Sequence, residues 1–172
     1  MGSILYRPHF LRRNRMLPVN NTIDSFRGEY SFLSNFSRHS FVDDEGQVWR
    51  TSEHYYQAKK VSMAGDVIKG EIIITAKTPA IAKAIGAGIS PENWHEISLS
   101  VMKEALKYKF DQNSDIRMKL LETGDSELIE GNTWGDVFWG QVDGKGKNML
   151  GKLLMELRNE YRDKLHSDGS GG

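Results

Sequence analysis

The chain has no cysteine among its 172 residues. Disulfides, thiolate-bound zinc and cysteine nucleophiles are therefore excluded. Net charge is also missing, since 23 Lys and Arg balance 23 Asp and Glu. Broad, non-specific nucleic-acid binding needs a basic field, so it is not the main business of this protein, although action on one nucleotide at a time stays open. No apolar run approaches the roughly 20 residues of a membrane span, and the first residues lack the apolar core of a signal peptide. A soluble cytoplasmic protein with no membrane partner is expected. The five histidines, His9, His39, His54, His95 and His166, show no spacing typical of metal ligands. No metal and no other cofactor is expected. A G-x-S-x-G nucleophile turn is absent as well, which leaves a Ser-His-Asp hydrolase without support.

What is present reads as one domain with two appendages. Residues 1–21 crowd Arg7, Arg12, Arg13 and Arg15 between Pro8 and Pro18. They form a basic extension expected to be poorly ordered or loosely docked. From Ile23 the composition is globular, and a domain over 22–165 is expected. Residues 166–172 are rich in Gly and Ser and read as a flexible tail.

Within the domain, the aromatic stretch Phe26–Phe36 suggests a short strand followed by a loop that displays Asn35. Phe41-Val42 and Gln47-Val48-Trp49 flank Asp43-Asp44-Glu45-Gly46, a hairpin signal. The run Glu71–Thr75 fits a buried strand or a helix. Thr78-Pro79 starts a helix that carries Ile81 and Ile85 and stops at Gly86. A further helix follows Trp94, with Leu99, Met102, Leu106 and Phe110 as its core stripe. Ser114 is expected to cap a short helix that ends at Gly124, and Glu127–Glu130 is a candidate strand. Leu150, Leu153, Leu154, Leu157 and Tyr161 form the clearest helical stripe. The expected fold class is α+β, mainly helical: about six helices in a single compact domain with a small antiparallel sheet.

Two stretches carry groups able to do chemistry. The first is Trp49-Arg50-Thr51-Ser52-Glu53-His54-Tyr55-Tyr56-Gln57-Ala58-Lys59-Lys60. Thr51 or Ser52 can cap a helix, and Glu53 then meets the positive end of its dipole. Helical spacing puts Glu53, Tyr56, Gln57 and Lys60 on one face. A carboxylate, phenol, amide and ammonium on one face suit a site; packed tyrosines at an ordinary helix start fit the same residues. The second stretch is Asn132–Gly151, where Trp134 and Trp139 flank Asp136 and the run Gly144-Lys145-Gly146-Lys147-Asn148 enters the last helix. Glycines and free helix N–H groups there suit a phosphate, and they equally suit a tight helix entry capped by Asn148. Gly146-x4-Gly151-Lys152 matches a Walker loop only superficially, because Leu153 replaces the magnesium-binding hydroxyl. What remains is carboxylate chemistry with aromatic walls. That combination suits a sugar–base substrate, since cleavage of an anomeric C–N bond develops positive charge that a carboxylate stabilises or meets with an activated water.

Gly28-Glu29-Tyr30-Ser31-Phe32-Leu33-Ser34-Asn35-Phe36, the Trp49–Lys60 run, Pro79-x2-Ala82-x2-Ile85-Gly86, Trp94, Asp136-x2-Trp139-Gly140 and Gly144-x-Gly146-x-Asn148 together resemble the YbiA-like N-glycosidases, also called the NADAR family. The resemblance spans about residues 23 to 161. It implies a compact, mainly helical α+β domain that hydrolyses the bond between ribose C1 and an exocyclic amine. Two substrate classes are implied: ribosylamino-pyrimidine phosphates of riboflavin biosynthesis, and ADP-ribose on guanine, including guanine in nucleic acid. By resemblance Glu53, Trp94, Asp136, Trp139 and Asn148 line the pocket. The expected catalytic pair is Glu53 and Asp136. The expected substrate-binding set is Asn35, Phe36, Trp49, Tyr56, Gln57, Lys60, Trp94, Trp139, Gly146, Lys147 and Asn148. A module that binds ADP-ribose or an NAD derivative without cleaving it is the rival reading; it would keep the tryptophans and the glycine loop but have no need of Glu53.

Overall fold

The computed structural model describes residues 21–169. The basic extension lies outside the described residues except for Asn21, whose carbonyl accepts from the Glu127 N–H. Among the described residues there are six α-helices, one 3-10 helix and two two-stranded sheets. None of the helices is long and apolar enough to cross a membrane.

The first strand, β1 (Thr22–Ile23), leads into the 3-10 helix Gly28–Leu33, where a strand had been expected. The aromatic density explains the difference: Phe26, Phe32 and Leu33 all dock on one core, which a pleated strand with alternating faces does not allow. The expected hairpin is present as β2 (Phe41–Val42) and β3 (Val48–Trp49). Asp43 organises its turn. Its Oδ1 accepts from the N–H groups of Glu45 and Gln47, and its Oδ2 accepts from the Trp49 indole at 2.8 Å.

Helix α1 (Ser52–Met63) follows, with Thr51 as the cap that accepts from His54 N. Its adjacent tyrosines enter different cores. Tyr56 joins the larger one, with Met102, Leu106, Phe110, Leu128, Leu150 and Leu154. Tyr55 joins the smaller one, with Phe41, Trp49, Val61, Ile73 and Ala105. α1 therefore runs between the two cores.

α2 (Val67–Thr75) resolves the ambiguous β-branched run as helix. Asp66 caps it through Lys69 N, and Gly70 and Ile73 face inward at helical spacing, with Gly70 close against Ser62 of α1. α3 (Pro79–Gly86) starts at the Thr78 cap as expected. It packs, however, through Pro79, Ala82 and Gly86, and Ile81 is exposed. Small contact residues let it approach α1 closely. α4 (Trp94–Gln112) serves both cores. α5 (Ser114–Glu122) begins one residue earlier than expected: Ser114 is inside it, and Asn113, at the cap position, uses its amide to bridge Ser40 O and Lys109 O.

β4 (Glu127–Leu128) pairs with β1 in parallel, so the sheets are not all antiparallel. α6 (Met149–Gly169) buries Leu150, Leu154, Leu157 and Tyr161. It continues through Ser167 and Asp168, part of the tail that composition had assigned to a flexible segment; residues 170–172 lie outside the described residues.

Candidate active site

One face of α1 forms the floor of a cavity of about 560 Å³, within the range that holds a nucleotide-sized ligand. Glu53, Tyr56, Gln57 and Lys60 line it from α1, as the helical spacing predicted. Asn35 and Phe36 line it from the loop after the 3-10 helix, and Asp136 and Trp139 from the segment before α6. The loop is tied to the helix start. Glu53 N donates to Asn35 O, and the Ser52 hydroxyl donates to Asn35 Oδ1 at 3.0 Å.

The remaining expected residues lie elsewhere. Trp49 is buried in the smaller core with its indole bound to Asp43. Trp94 supports the floor from behind, donating its indole N–H to the Tyr56 hydroxyl oxygen at 3.0 Å with ring centroids 5.1 Å apart. Gly146, Lys147 and Asn148 are not at the cavity wall. The N–H groups of Lys147, Asn148, Met149 and Leu150 all bond to carbonyls of Val137, Gly140, Phe138 and Trp139. A helix start with those donors taken offers few to a phosphate. Gly146 is a close-approach glycine with φ 142°, where a Cβ would collide with Gly140 O. Lys147 is exposed, over the Phe138 ring. Asn148 spends its amide on Glu130 N and Leu128 O. The glycine run is a tight turn that docks one strip of chain on another.

Six polar or aromatic wall residues were not in the expected set: Phe26, Arg27, Ser34, Lys83, Glu130 and Trp134. Lys83 stands over the rings of Phe36 and Trp134, at 6.0 and 5.9 Å. Its position follows from α3 packing through small residues, for which the Pro79-x2-Ala82-x3-Gly86 spacing was the available signal. Glu130 lies two residues past the end of β4 and precedes Gly131, and its only sequence cue was the neighbouring Asn132-x3-Asp136 run.

Electrostatics separate the acids. Glu53 is only 6% exposed. Burial pushes its pKa up, a hydrogen bond from Gln57 and the charges of Lys83 and Lys60 oppose the rise, and Asp136 adds to it. Burial lowers the pKa of Lys60, with Glu53 opposing. Glu130 is also raised by burial, with Asn132 opposing. Asp136 uses Oδ1 to accept from the N–H groups of Phe138 and Trp139 at 3.1 and 2.9 Å. Tyr56 is pushed up to about 12 by burial, so it stays a phenol. Among the described residues no set of three His, Asp or Glu is grouped to hold a metal ion.

Gln57 holds Glu53 through Nε2–H···Oε1 at 2.9 Å. Its Oε1 is buried, has no hydrogen-bond partner among the described residues, and lies against Gly86. A Cβ on Gly86 would collide with that oxygen. Gly86→Ala is therefore expected to displace the amide and the carboxylate it holds, lowering kcat about tenfold with a stability cost of about 1–3 kcal/mol. Kinetics and a thermal melt of one preparation check this; unchanged kcat would show that the amide relaxes without moving Glu53.

The chain belongs to the NADAR domain family, whose model matches residues 24–162. It is 40% identical over 136 residues to the N-glycosidase YbiA of Escherichia coli, covering 77% of this chain and 82% of that protein. A riboflavin biosynthesis protein of Vibrio vulnificus is 37% identical over 138 residues; the match spans 78% of this chain and 36% of that longer protein. The NMR structure of E. coli YbiA has the same fold, with a TM-score of 0.73 at 36% identity over 84% of this chain and 86% of that one.

Proposed function

We propose that this protein is an N-glycosidase that hydrolyses the bond between ribose C1 and an exocyclic amine, with no metal or cofactor taking part. The observation that carries the reading is Glu53: a carboxylate of raised pKa on the floor of a nucleotide-sized cavity, held by Gln57 and faced by Asp136 and Trp139. As C1–N cleaves, positive charge grows on the ribose, and Glu53 meets it or takes a proton from the attacking water. Asp136 keeps Oδ2 for the ribose. Trp139 and Tyr56, edge to face at 5.5 Å, wall off water.

The substrate class we favour is the ribosylamino-pyrimidine phosphates, because relatives named as riboflavin biosynthesis proteins share this domain. ADP-ribosylated guanine, free or in nucleic acid, presents the same bond and is the second class. Incubation with each class, followed by mass spectrometry of the released amine, tests the reading. Tight binding with no release of amine from either would leave a binding module.

The phosphate belongs with the cations of the cavity, Arg27, Lys60 and Lys83, rather than with the glycine loop. Lys83→Ala is expected to raise KM for a phosphorylated substrate by about tenfold, the scale of a charge-assisted hydrogen bond. Lys147→Ala should leave it within about twofold, as for an ordinary exposed charge. The reverse pattern would return the phosphate to the loop.

A further inference from the structure

Three features of the chain converge on one side chain that plays no part in the mechanism above. Gly140 has no Cβ, and one placed there would collide with both the carboxylate and the carbonyl of Glu130. Asn132, buried, donates from Nδ2 to Glu130 Oε2 at 2.9 Å. The same amide clasps the backbone of Asp136, through Asp136 O at 2.8 Å and Asp136 N at 3.0 Å. Asn148, also buried and held at φ 51°, accepts from Glu130 N at 3.0 Å. A left-handed asparagine and a glycine that tolerates no side chain are costly local choices, and here both serve to place one glutamate at the cavity wall.

We propose that Glu130 is the acid of this site, delivering a proton to the nitrogen that leaves ribose C1. The inference rests on the N-glycosidase reading. An amine expelled without a proton would depart as an anion, so a proton donor on the leaving-group side lowers the barrier. Glu130 suits that role better than its neighbours. Oδ1 of Asp136 already accepts two backbone N–H groups. Glu53 is bound to Gln57 at the floor. Glu130 has one oxygen fixed by a neutral amide, and Oε1 has no donor among the described residues. Its surroundings favour the protonated form: burial and the Asp136 charge raise its pKa, against Asn132, Lys83 and Arg27. In the step, the C1–N bond breaks with its electron pair passing to nitrogen, which takes the Glu130 proton and leaves as the neutral amine. Water adds to C1 and gives a proton to Glu53. Solvent then returns a proton from Glu53 to Glu130, and one water is consumed overall.

The test is a series of ribosylamino substrates whose rings withdraw electrons to increasing degrees, assayed with the wild type and Glu130→Gln. Loss of a proton donor hurts most where the leaving amine is most basic. Glu130→Gln should lose about 10²-fold in kcat on the least activated substrate and under about threefold on the most activated. A parallel loss across the series, or none, overturns the proposal. If Glu130→Gln does not fold, Glu130→Asp, which keeps the acid but shortens its reach, should give the same graded pattern, and a parallel loss in that variant is equally fatal. A wild-type protein that releases no amine overturns the glycosidase reading itself, before any variant is compared.

Discussion

Glu53→Gln is expected to lower turnover by about 10²–10⁴ while melting at or above the wild-type temperature. The amide keeps the size of the side chain and can still accept from Gln57, so only the charge is lost. The stability half follows from linkage. Burial raises the folded pKa of Glu53 above its unfolded value. The folded state therefore holds that proton more tightly, and the resulting stability is fully present below the unfolded pKa and lost as pH rises through the folded one. At pH values above the folded pKa the ionised wild type carries a buried charge that the glutamine variant lacks. For activity the sign reverses, because the working form is the carboxylate. The acid limb of the wild-type profile should lie above the range of an exposed glutamate. Turnover and thermal melts at two pH values check both halves. Near-normal turnover in the variant would shift the base to Asp136.

Replacing Lys109 should have the largest effect on stability. Its ammonium is fully buried and donates to Phe32 O at 2.7 Å and Ser34 O at 2.9 Å, so it pins the chain next to Asn35. Burial pushes its pKa down to about 7. The unfolded chain keeps the proton to near the ordinary lysine value, so between these limits the unfolded state binds more protons and stability rises with pH, by up to about 1.4 kcal/mol per pH unit. Urea unfolding at pH 7, 8 and 9 should show this rise. Lys109→Met should be less stable, by about 1–3 kcal/mol for each carbonyl left without its donor, and should lack that component of the slope. Equal slopes in the two proteins would mean that the lysine titrates normally.

Local chemistry was legible in the sequence wherever neighbours along the chain decide it. The hairpin around Asp43, the Thr51 cap, the Thr78-Pro79 helix start and the leucine stripe of α6 each depend on a few adjacent residues. So did the α1 face of Glu53, Tyr56, Gln57 and Lys60, which needs only the helical period. The other walls were hidden because long-range packing assembles them. Nothing near Lys83 in the chain announces Phe36 or Trp134, and nothing near Glu130 announces Arg27. The Gly144–Asn148 run was ambiguous for a different reason. A glycine-rich helix entry reads the same whether its N–H groups are free or taken, and here the carbonyls of Val137, Phe138, Trp139 and Gly140 take them. Trp49 misled in the same way, since an indole beside a helix start serves a pocket or a core equally well.

The placement of α1 between two cores divides the site into a fixed part and an adjustable one. The floor groups Glu53, Tyr56 and Gln57 sit on a helix clamped from both sides, and a change there disturbs the whole molecule. The rim is built differently: Phe36 and Trp134 are 40% and 56% exposed, and Lys83 reaches in from a helix held by small side chains. Rim residues can be exchanged without reopening either core. A lineage could retune which amine or phosphate the cavity admits by editing those few positions, while the bond-breaking floor is inherited unchanged.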